Sequence, residues 1–151
     1  MSAVTHEDLP RTEFGFPGPL RDALVSAVLA GLKVSTTSLV CEYELEASPL
    51  PTSGLRSVVV DSTNHAVALI ETTRVEIVRL ASVDFSHVVD EGEGFGSLSE
   101  WRVGHERFWH SDEMRRALGE PTFTVDDETL VVLERFRVVE RLGDAPSDPV
   151  A

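Results

Sequence analysis

The segment from Ala66 to Leu80 constrains the fold of this chain more than any other feature of its sequence. One parity of the segment holds Val67, Leu69, Glu71, Thr73, Val75 and Ile77. This period of two predicts a β-strand, and a strand of this length can bend around a small barrel. A shorter β run, Ser57–Asp61, precedes it across a polar turn, so we expect an antiparallel meander.

Helical patterns flank this meander. Pro19 suits the first turn of a helix, and apolar spacing predicts that helix over Leu20–Ala30. Ser97 and Glu100 have the spacing of a capping box, which predicts a helix from Leu98 to at least His110.

Three further segments complete the secondary-structure prediction. Thr36–Leu45 is ambiguous, because its β-branched residues favour a strand while Leu39 and Tyr43 share a helical face; we predict a strand. Asp84–Glu91 is predicted as a short helix, and residues 123–139 as a closing hairpin. The chain is therefore predicted to be an α+β domain with mostly antiparallel strands and flanking helices.

The 151-residue length suits a single domain. Proline, glycine and acidic residues at the ends predict a flexible N-terminal arm at residues 1–15 and a flexible tail at residues 142–151, with the domain at 16–141. Cys41 is a lone cysteine, no secretory signal opens the chain, and the apolar stretch Ala23–Leu32 is too short to cross a bilayer. We therefore expect a cytoplasmic protein without a membrane role.

The charge balance limits the partners that we expect. The chain has 26 acidic and 13 basic residues, for a net charge of -13. Such a field repels polyanions, so binding to duplex DNA is not expected. A single nucleoside or a short single strand remains compatible, since local charge and stacking outweigh a screened distant field.

Lys33 is the only lysine among the 13 basic residues. One interpretation is a compositional bias toward arginine that left a stray lysine. The other is that Lys33 supplies an amine whose pKa burial can lower, which a guanidinium cannot match. Such an amine could activate the hydroxyl of Thr36, although the hydroxyl-rich stretch Thr36–Ser38 also reads as ordinary β-forming residues.

The segment Gly31-x-Lys33-x-x-Thr36-x-Ser38 resembles the G-x-K-x-x-T-x-R signature of the ASCH superfamily. A second segment, Glu91–Trp101, resembles the acidic, glycine-rich segment and following helix of that family. The chain is most similar to the YhfF-like subgroup, and the resemblance extends from Phe16 to about Val139.

The resemblance implies a PUA-like small β-barrel with a cleft lined by the lysine motif. Family roles include RNA binding, ribonuclease activity and deacylation of N4-acetylcytidine. In the deacylating relatives, the catalytic residues correspond to Lys33, Thr36 and Glu93, with Glu91 as the alternative glutamate. Ser38 stands where the family usually has arginine, so the resemblance gives less support for binding of a phosphate or carboxyl group at this position.

Other residues are candidates for substrate binding. Trp101, His105 and Phe108 share the inner stripe of their helix and are predicted to be core, whereas Phe95 and Trp109 are predicted to line the cleft. The full predicted substrate-binding set is Ser38, Glu91, Phe95, Arg102 and Trp109. The histidines are scattered, so neither a metal nor another cofactor is predicted.

Two hypotheses of function follow. The first is a hydrolase of an N-acylated nucleoside such as N4-acetylcytidine, in which Lys33 activates Thr36 or water and Glu93 moves a proton to the leaving group. The second is a non-catalytic single-stranded RNA-binding module, or a ribonuclease, that uses the same cleft. Its arginine candidates are Arg102, Arg107, Arg115 and Arg116.

Overall fold

A computed structural model describes residues 8–142 of the chain. The elements are β1 (Arg11–Thr12), α1 (Pro19–Leu29), β2 (Ser35–Leu39), α2 (Val40–Glu46), β3 (Arg56–Val60), β4 (Ala66–Arg79), α3 (Phe85–Glu91), α4 (Leu98–Trp109), α5 (Asp112–Leu118) and β5 (Leu130–Arg141). A 3-10 turn, Leu80–Ser82, follows β4. None of the helices within this range is long and apolar enough to cross a membrane.

The strands form one mixed sheet in the order β1-β3-β4-β5-β2. Strand β1 pairs with β3 in parallel, and the other neighbours are antiparallel. Within the described residues, β1 and β2 are the two edges and are not paired with each other. The predicted α+β class with mostly antiparallel strands is confirmed, whereas the predicted PUA-like barrel is not.

Helices cover both faces of this sheet, because successive side chains of a strand point to opposite sides. Helices α3, α4 and α5 pack on one face around a core that includes Leu39, Trp101, Trp109, Met114 and Val131. Helix α1 packs on the other face around Phe14, Val25, Val28, Ile70 and Phe136. The two cores hold β4 and β5 at the centre of the molecule.

The strongest local patterns predicted their elements well. Helices α1 and α4, the short helix α3 and the long strand β4 all lie within a residue or two of their predicted bounds. The Ser97 hydroxyl accepts a hydrogen bond from the Glu100 backbone nitrogen, as the capping pattern predicted.

Two predictions of local structure were wrong. The segment Thr36–Leu45 is not one strand, since β2 ends at Leu39 and α2 begins at Val40. The Glu42 carboxylate caps this junction by accepting from the Leu39 nitrogen at 2.9 Å. The closing hairpin does not form either: residues 123–129 contain no strand, and β5 instead pairs with β4 and β2.

The N-terminal segment contributes to the fold before residue 16, where the domain was predicted to begin. Strand β1 pairs with Val58 and Val59 of β3, and Phe14 is 5% exposed with its ring 6.0 Å from that of Phe136. Residues 1–7 and 143–151 lie outside the described range, so flexibility there stays a prediction.

Candidate functional site

A tight turn after α1 positions Lys33. Gly31 has a φ of 78°, which a glycine adopts at little cost, and the Leu32 and Lys33 nitrogens then donate to the Ala27 carbonyl. Next, the Val34 nitrogen donates to the Asp90 carbonyl at 2.8 Å. These hydrogen bonds fix Lys33 between the ends of α1 and α3. Lys33 is 1% exposed.

The Lys33 ammonium has two direct partners. It donates to the Ser35 carbonyl at 2.8 Å and to Glu93 Oε2 at 2.9 Å, and it lies 5.5 Å from the centre of the Phe14 ring. A buried charge is stable only when it is paired and hydrogen-bonded, so the Glu93 carboxylate accounts for the burial of this lysine. The Glu93 side chain is 18% exposed, and the pair therefore reaches the surface through Glu93.

A close backbone approach joins the two sequence motifs. Gly92 ends α3 with a φ of 65°, and a Cβ added there would lie 2.0 Å from the Leu32 carbonyl oxygen. No residue with a side chain fits at that distance. Glycine at this position lets the acidic segment pass directly beside the lysine motif.

Glu91 lies beneath the ion pair and is fully buried. Its Oε1 accepts from Trp101 Nε1 at 2.8 Å and lies 3.3 Å from His105 Nε2. Its Oε2 accepts from the Thr37 hydroxyl at 2.5 Å and lies 3.0 Å from His87 Nε2. Both oxygens are satisfied by donors from β2, α3 and α4.

These donors keep the Glu91 carboxyl ionised. Burial by itself would raise the pKa of Glu91, but the hydrogen bonds from His105 and His87 and the positive charge of Lys33 outweigh it and hold the pKa well below its ordinary value. Glu91 thus adds a fixed negative charge beneath the Lys33–Glu93 pair.

The side chains of Glu91, Glu93 and His105 come close enough for metal binding, with one ligand atom of each within 4.8 Å of the others. Both carboxylates already have partners, however: Glu93 Oε2 accepts from the Lys33 ammonium, and Glu91 accepts from Trp101 and Thr37. The ammonium supplies the cation of this arrangement. The prediction of no metal remains a prediction.

Thr36 and Ser38 lie on the opposite face of β2 from Ser35 and Thr37. Thr36 is the cross-strand partner of Glu134, and the hydroxyl of Ser38 lies 2.9 Å from that of Tyr43. Among the described contacts, the Lys33 ammonium does not bind Thr36. The structure therefore brings Lys33 and Glu93 together but leaves Thr36 outside their hydrogen bonds.

The face of β2 that carries Thr36 has titratable groups of its own. The Thr72 hydroxyl donates to Glu134 at 2.6 Å, and burial raises the pKa of Glu134 despite that hydrogen bond. Burial also raises the pKa of Tyr43 to about 12. This face favours neutral groups, in contrast to the ionised cluster around Glu91.

Two further residues predicted to bind substrate, Phe95 and Arg102, have different environments. Phe95 is half-buried with its ring 6.0 Å from that of His105, so it lies beside the cluster. Arg102 forms ion pairs with Glu106 at 2.6 Å and Asp127 at 3.0 Å, and its described ion pairs do not include Glu93. The side chains of Phe95 and Arg102 thus face different surroundings.

The predicted position of Trp109 in the cleft wall is wrong. Trp109 is 2% exposed and belongs to the core under α4. The inward ridge of α4 follows the four-residue spacing of Trp101, His105 and Trp109, whereas the predicted stripe used the three-residue step to Phe108. Phe108 is instead half-buried against Phe16, with ring centres 5.7 Å apart.

Sequence reasoning missed two histidines of the cluster. His87 was weighed only as one of the scattered histidines, although it precedes Glu91 by one turn of a predicted helix, a spacing that places both on one face. His105 was interpreted as a core residue. It does stack on Trp101, with ring centres 4.2 Å apart, but it also faces Glu91.

Comparisons with known proteins identify the family and the fold. The family model described as an ASCH domain matches residues 11–140. A crystal structure of a protein from Enterococcus faecalis is 27% identical, with a TM-score of 0.75 over 87% of this chain and 77% of that one. An ASCH domain from Lactobacillus crispatus is 26% identical, with a TM-score of 0.74 over 87% of this chain and 79% of that one. No curated protein matches the chain.

Proposed function

This chain belongs to the ASCH domain family, and from that premise we propose that it acts on RNA or a modified nucleoside, as a hydrolase of a small N-acylated nucleoside such as N4-acetylcytidine. The observation that carries the proposal is the single lysine of the chain, buried and ion-paired with Glu93 at 2.9 Å. Buried ion pairs contribute little to stability compared with apolar packing, so a functional reason for this one is favoured.

The geometry favours water, rather than Thr36, as the nucleophile. Glu93 is the more exposed member of the pair. It would take a proton from a water molecule as the water oxygen attacks the acyl carbon. The Lys33 ammonium would stabilise the negative oxygen of the tetrahedral intermediate. The carbon–nitrogen bond then breaks, Glu93 returns the proton to the leaving nitrogen, and the products are the free acid and the nucleoside.

A chromatographic time course with N4-acetylcytidine tests this mechanism. Lys33→Met and Glu93→Gln should each lower turnover by about 100-fold or more, because each removes a group that acts in the transition state. Glu113→Gln, at an exposed position on α5, removes the same charge as Glu93→Gln and should retain turnover.

Thermal melts accompany these assays, since Lys33 is buried. If Lys33→Met does not fold, the partly exposed Glu93→Gln variant carries the test. Normal turnover by a folded Glu93→Gln protein, or no conversion by the wild type, would remove the hydrolase proposal.

A second function, binding of single-stranded RNA, is favoured by one further observation. The groove that includes Lys33 is also lined by Arg135 and Arg137. These are not the arginines that the sequence suggested. Arg102 is ion-paired with Glu106 and Asp127.

A further inference from the structure

A cavity opens on the face of the sheet that α3 covers. Ser35 of β2, Arg135 of β5 and Arg74 of β4 are cross-strand neighbours, and all three line it in one row. His87 of α3 also lines the cavity. Among its described lining residues, only Arg135 is shared with the groove that includes Lys33. The cavity volume is about 180 Å³, below the roughly 300 Å³ at which pockets for drug-sized ligands begin, so a small molecule suits it.

Ser35 and His87 contact each other at this cavity. The Ser35 hydroxyl lies 3.0 Å from His87 Nδ1 and 3.2 Å from the Glu134 carbonyl oxygen. Ser35 is 3% exposed and His87 is 9% exposed, so bulk water has little access to either side chain. A hydroxyl within hydrogen-bond reach of an imidazole nitrogen is the contact that activates a nucleophile. Ser35 and His87 therefore have the geometry of a nucleophile and its base.

The opposite side of the His87 ring determines which nitrogen carries the proton. The Thr37 hydroxyl donates its proton to Glu91 Oε2 at 2.5 Å. His87 Nε2 lies 2.7 Å from that hydroxyl oxygen and 3.0 Å from Glu91 Oε2. Both oxygens are then acceptors, so Nε2 carries a proton. In the neutral imidazole, Nδ1 keeps a free lone pair, and this lone pair faces the Ser35 hydroxyl.

The same row of the sheet supplies a positive charge beside Ser35. Arg135 is the cross-strand partner of Ser35, so their Cβ atoms lie about 5 Å apart. Its side chain is 46% exposed and ion-paired with Asp90. Arg74 lies directly opposite Arg135, an arrangement of like charges that destabilises the strand pair. A guanidinium at this place can stabilise a negative oxygen that develops next to Ser35, which gives the unfavourable pairing a functional reason.

We propose that Ser35 and His87 form a second catalytic site, which hydrolyses small acyl esters with Ser35 as the nucleophile. The Ser35 oxygen attacks the acyl carbon while its proton moves to His87 Nδ1. The carbon–oxygen bond of the ester breaks, and the alcohol leaves with that proton. Water then attacks the acyl-serine and passes a proton to Nδ1. The acid leaves, and this proton returns to the Ser35 oxygen.

A fluorophosphonate probe tests the site, because it bonds covalently to an activated serine. The wild-type protein at neutral pH should carry one label, located at Ser35 by peptide mass spectrometry. Ser35→Ala should not be labelled, and His87→Gln should be labelled about 100-fold more slowly. Turnover of 4-nitrophenyl acetate should fall in parallel. Ser99→Ala, at an exposed position on α4, is the control and should match the wild type.

The role of Arg135 is tested in the same assay. Arg135→Gln should lower the labelling rate about 10-fold, because the developing negative oxygen loses its cation. Arg56→Gln removes the same charge from β3, at a side chain that is 47% exposed and ion-paired with Glu71 at 3.0 Å, and should leave the rate unchanged. An equal fall in both variants would remove Arg135 from the site.

Three results would overturn the ester site: no label on the wild type, a label at another serine, or an unchanged labelling rate in a folded His87→Gln protein. Thermal melts verify folding, and the position of the label on the wild type decides the test if a variant does not fold. Glu93→Gln should be labelled at the wild-type rate. The ester site and the hydrolysis of N4-acetylcytidine can therefore fail separately.

Discussion

Glu91 and Glu93 are two residues apart, and their environments differ. The sequence placed both in an acidic, glycine-rich segment and left the choice between them open. In the structure, Glu93 pairs with Lys33 and is partly exposed, whereas Glu91 is buried among Trp101, Thr37 and two histidines. Only contacts between distant parts of the chain distinguish them, because Lys33 and Glu93 are 60 residues apart.

Replacing Glu91 by Gln keeps the size of the side chain and removes its charge. We expect the free energy of unfolding at neutral pH to fall by about 3 kcal/mol, because the donors around Glu91 lose an ionised acceptor. Urea denaturation followed by circular dichroism measures the change. Glu100→Gln, at an exposed position on α4, is the control for the loss of one carboxylate.

The same variant has a predictable pH dependence. The pKa of Glu91 is lower in the folded protein than its ordinary value of 4.5, so its stabilisation is present above that value and is lost as pH falls through the folded pKa. The difference in stability between wild type and Glu91→Gln should therefore shrink in acid. A difference that stays constant from pH 7 to below pH 4.5 would contradict this role.

At the scale of elements, the junction of α3 with the following loop shows how a glycine fixes the site. The sequence indicated that the glycines after Glu91 allow close backbone approach, but not which one is used. Gly92 and Gly94 both have positive φ, at 65° and 87°. Only at Gly92 would a Cβ meet other atoms, since none lies within 4 Å of a Cβ at Gly94.

This pair gives a matched test. Gly94→Ala should lower the free energy of unfolding by about 1–2 kcal/mol, the cost of left-handed backbone for a residue with a Cβ. Gly92→Ala bears that cost and also a clash with the Leu32 carbonyl, which belongs to the backbone and has little freedom to move. We expect its loss of stability to be at least twice as large. Equal melting temperatures would show that the close approach is not needed.

At the scale of the whole molecule, the first described residues close one edge of the sheet. Strand β1 lies beside β3. Paired residues such as Arg11 and Val58 are 47 positions apart in the sequence. Phe14 then packs with Val25, Ile70 and Phe136 in the core under α1. The N-terminal segment therefore links a sheet edge to a core.

Two truncations test this link. Removing residues 1–15 should lower the free energy of unfolding by about 3 kcal/mol or more, because the Phe14 side chain leaves the core and β3 loses its neighbour. Removing residues 1–7, where a flexible arm is predicted, should leave the melting temperature unchanged. Equal stability of the two truncated proteins would show that β1 and Phe14 contribute little.

The amino-acid sequence by itself determined the type of most elements and singled out Lys33 as the only lysine. Apolar periodicity and capping residues act over a few neighbours, so α1, β4 and α4 could be predicted without knowledge of the rest. The same local rules failed at Thr36–Leu45, where strand and helix preferences are nearly balanced and packing placed the boundary at Leu39.

Tertiary structure alone decided the partners of each functional group. Strand pairing set which face of β2 carries Thr36, and thereby left it outside the hydrogen bonds of Lys33. It also set Arg74 of β4 beside Arg135 of β5, although the two residues are 61 positions apart in the sequence. Such contacts depend on register and on the path of the chain between elements. Local propensity does not encode them, because it extends over a few residues only.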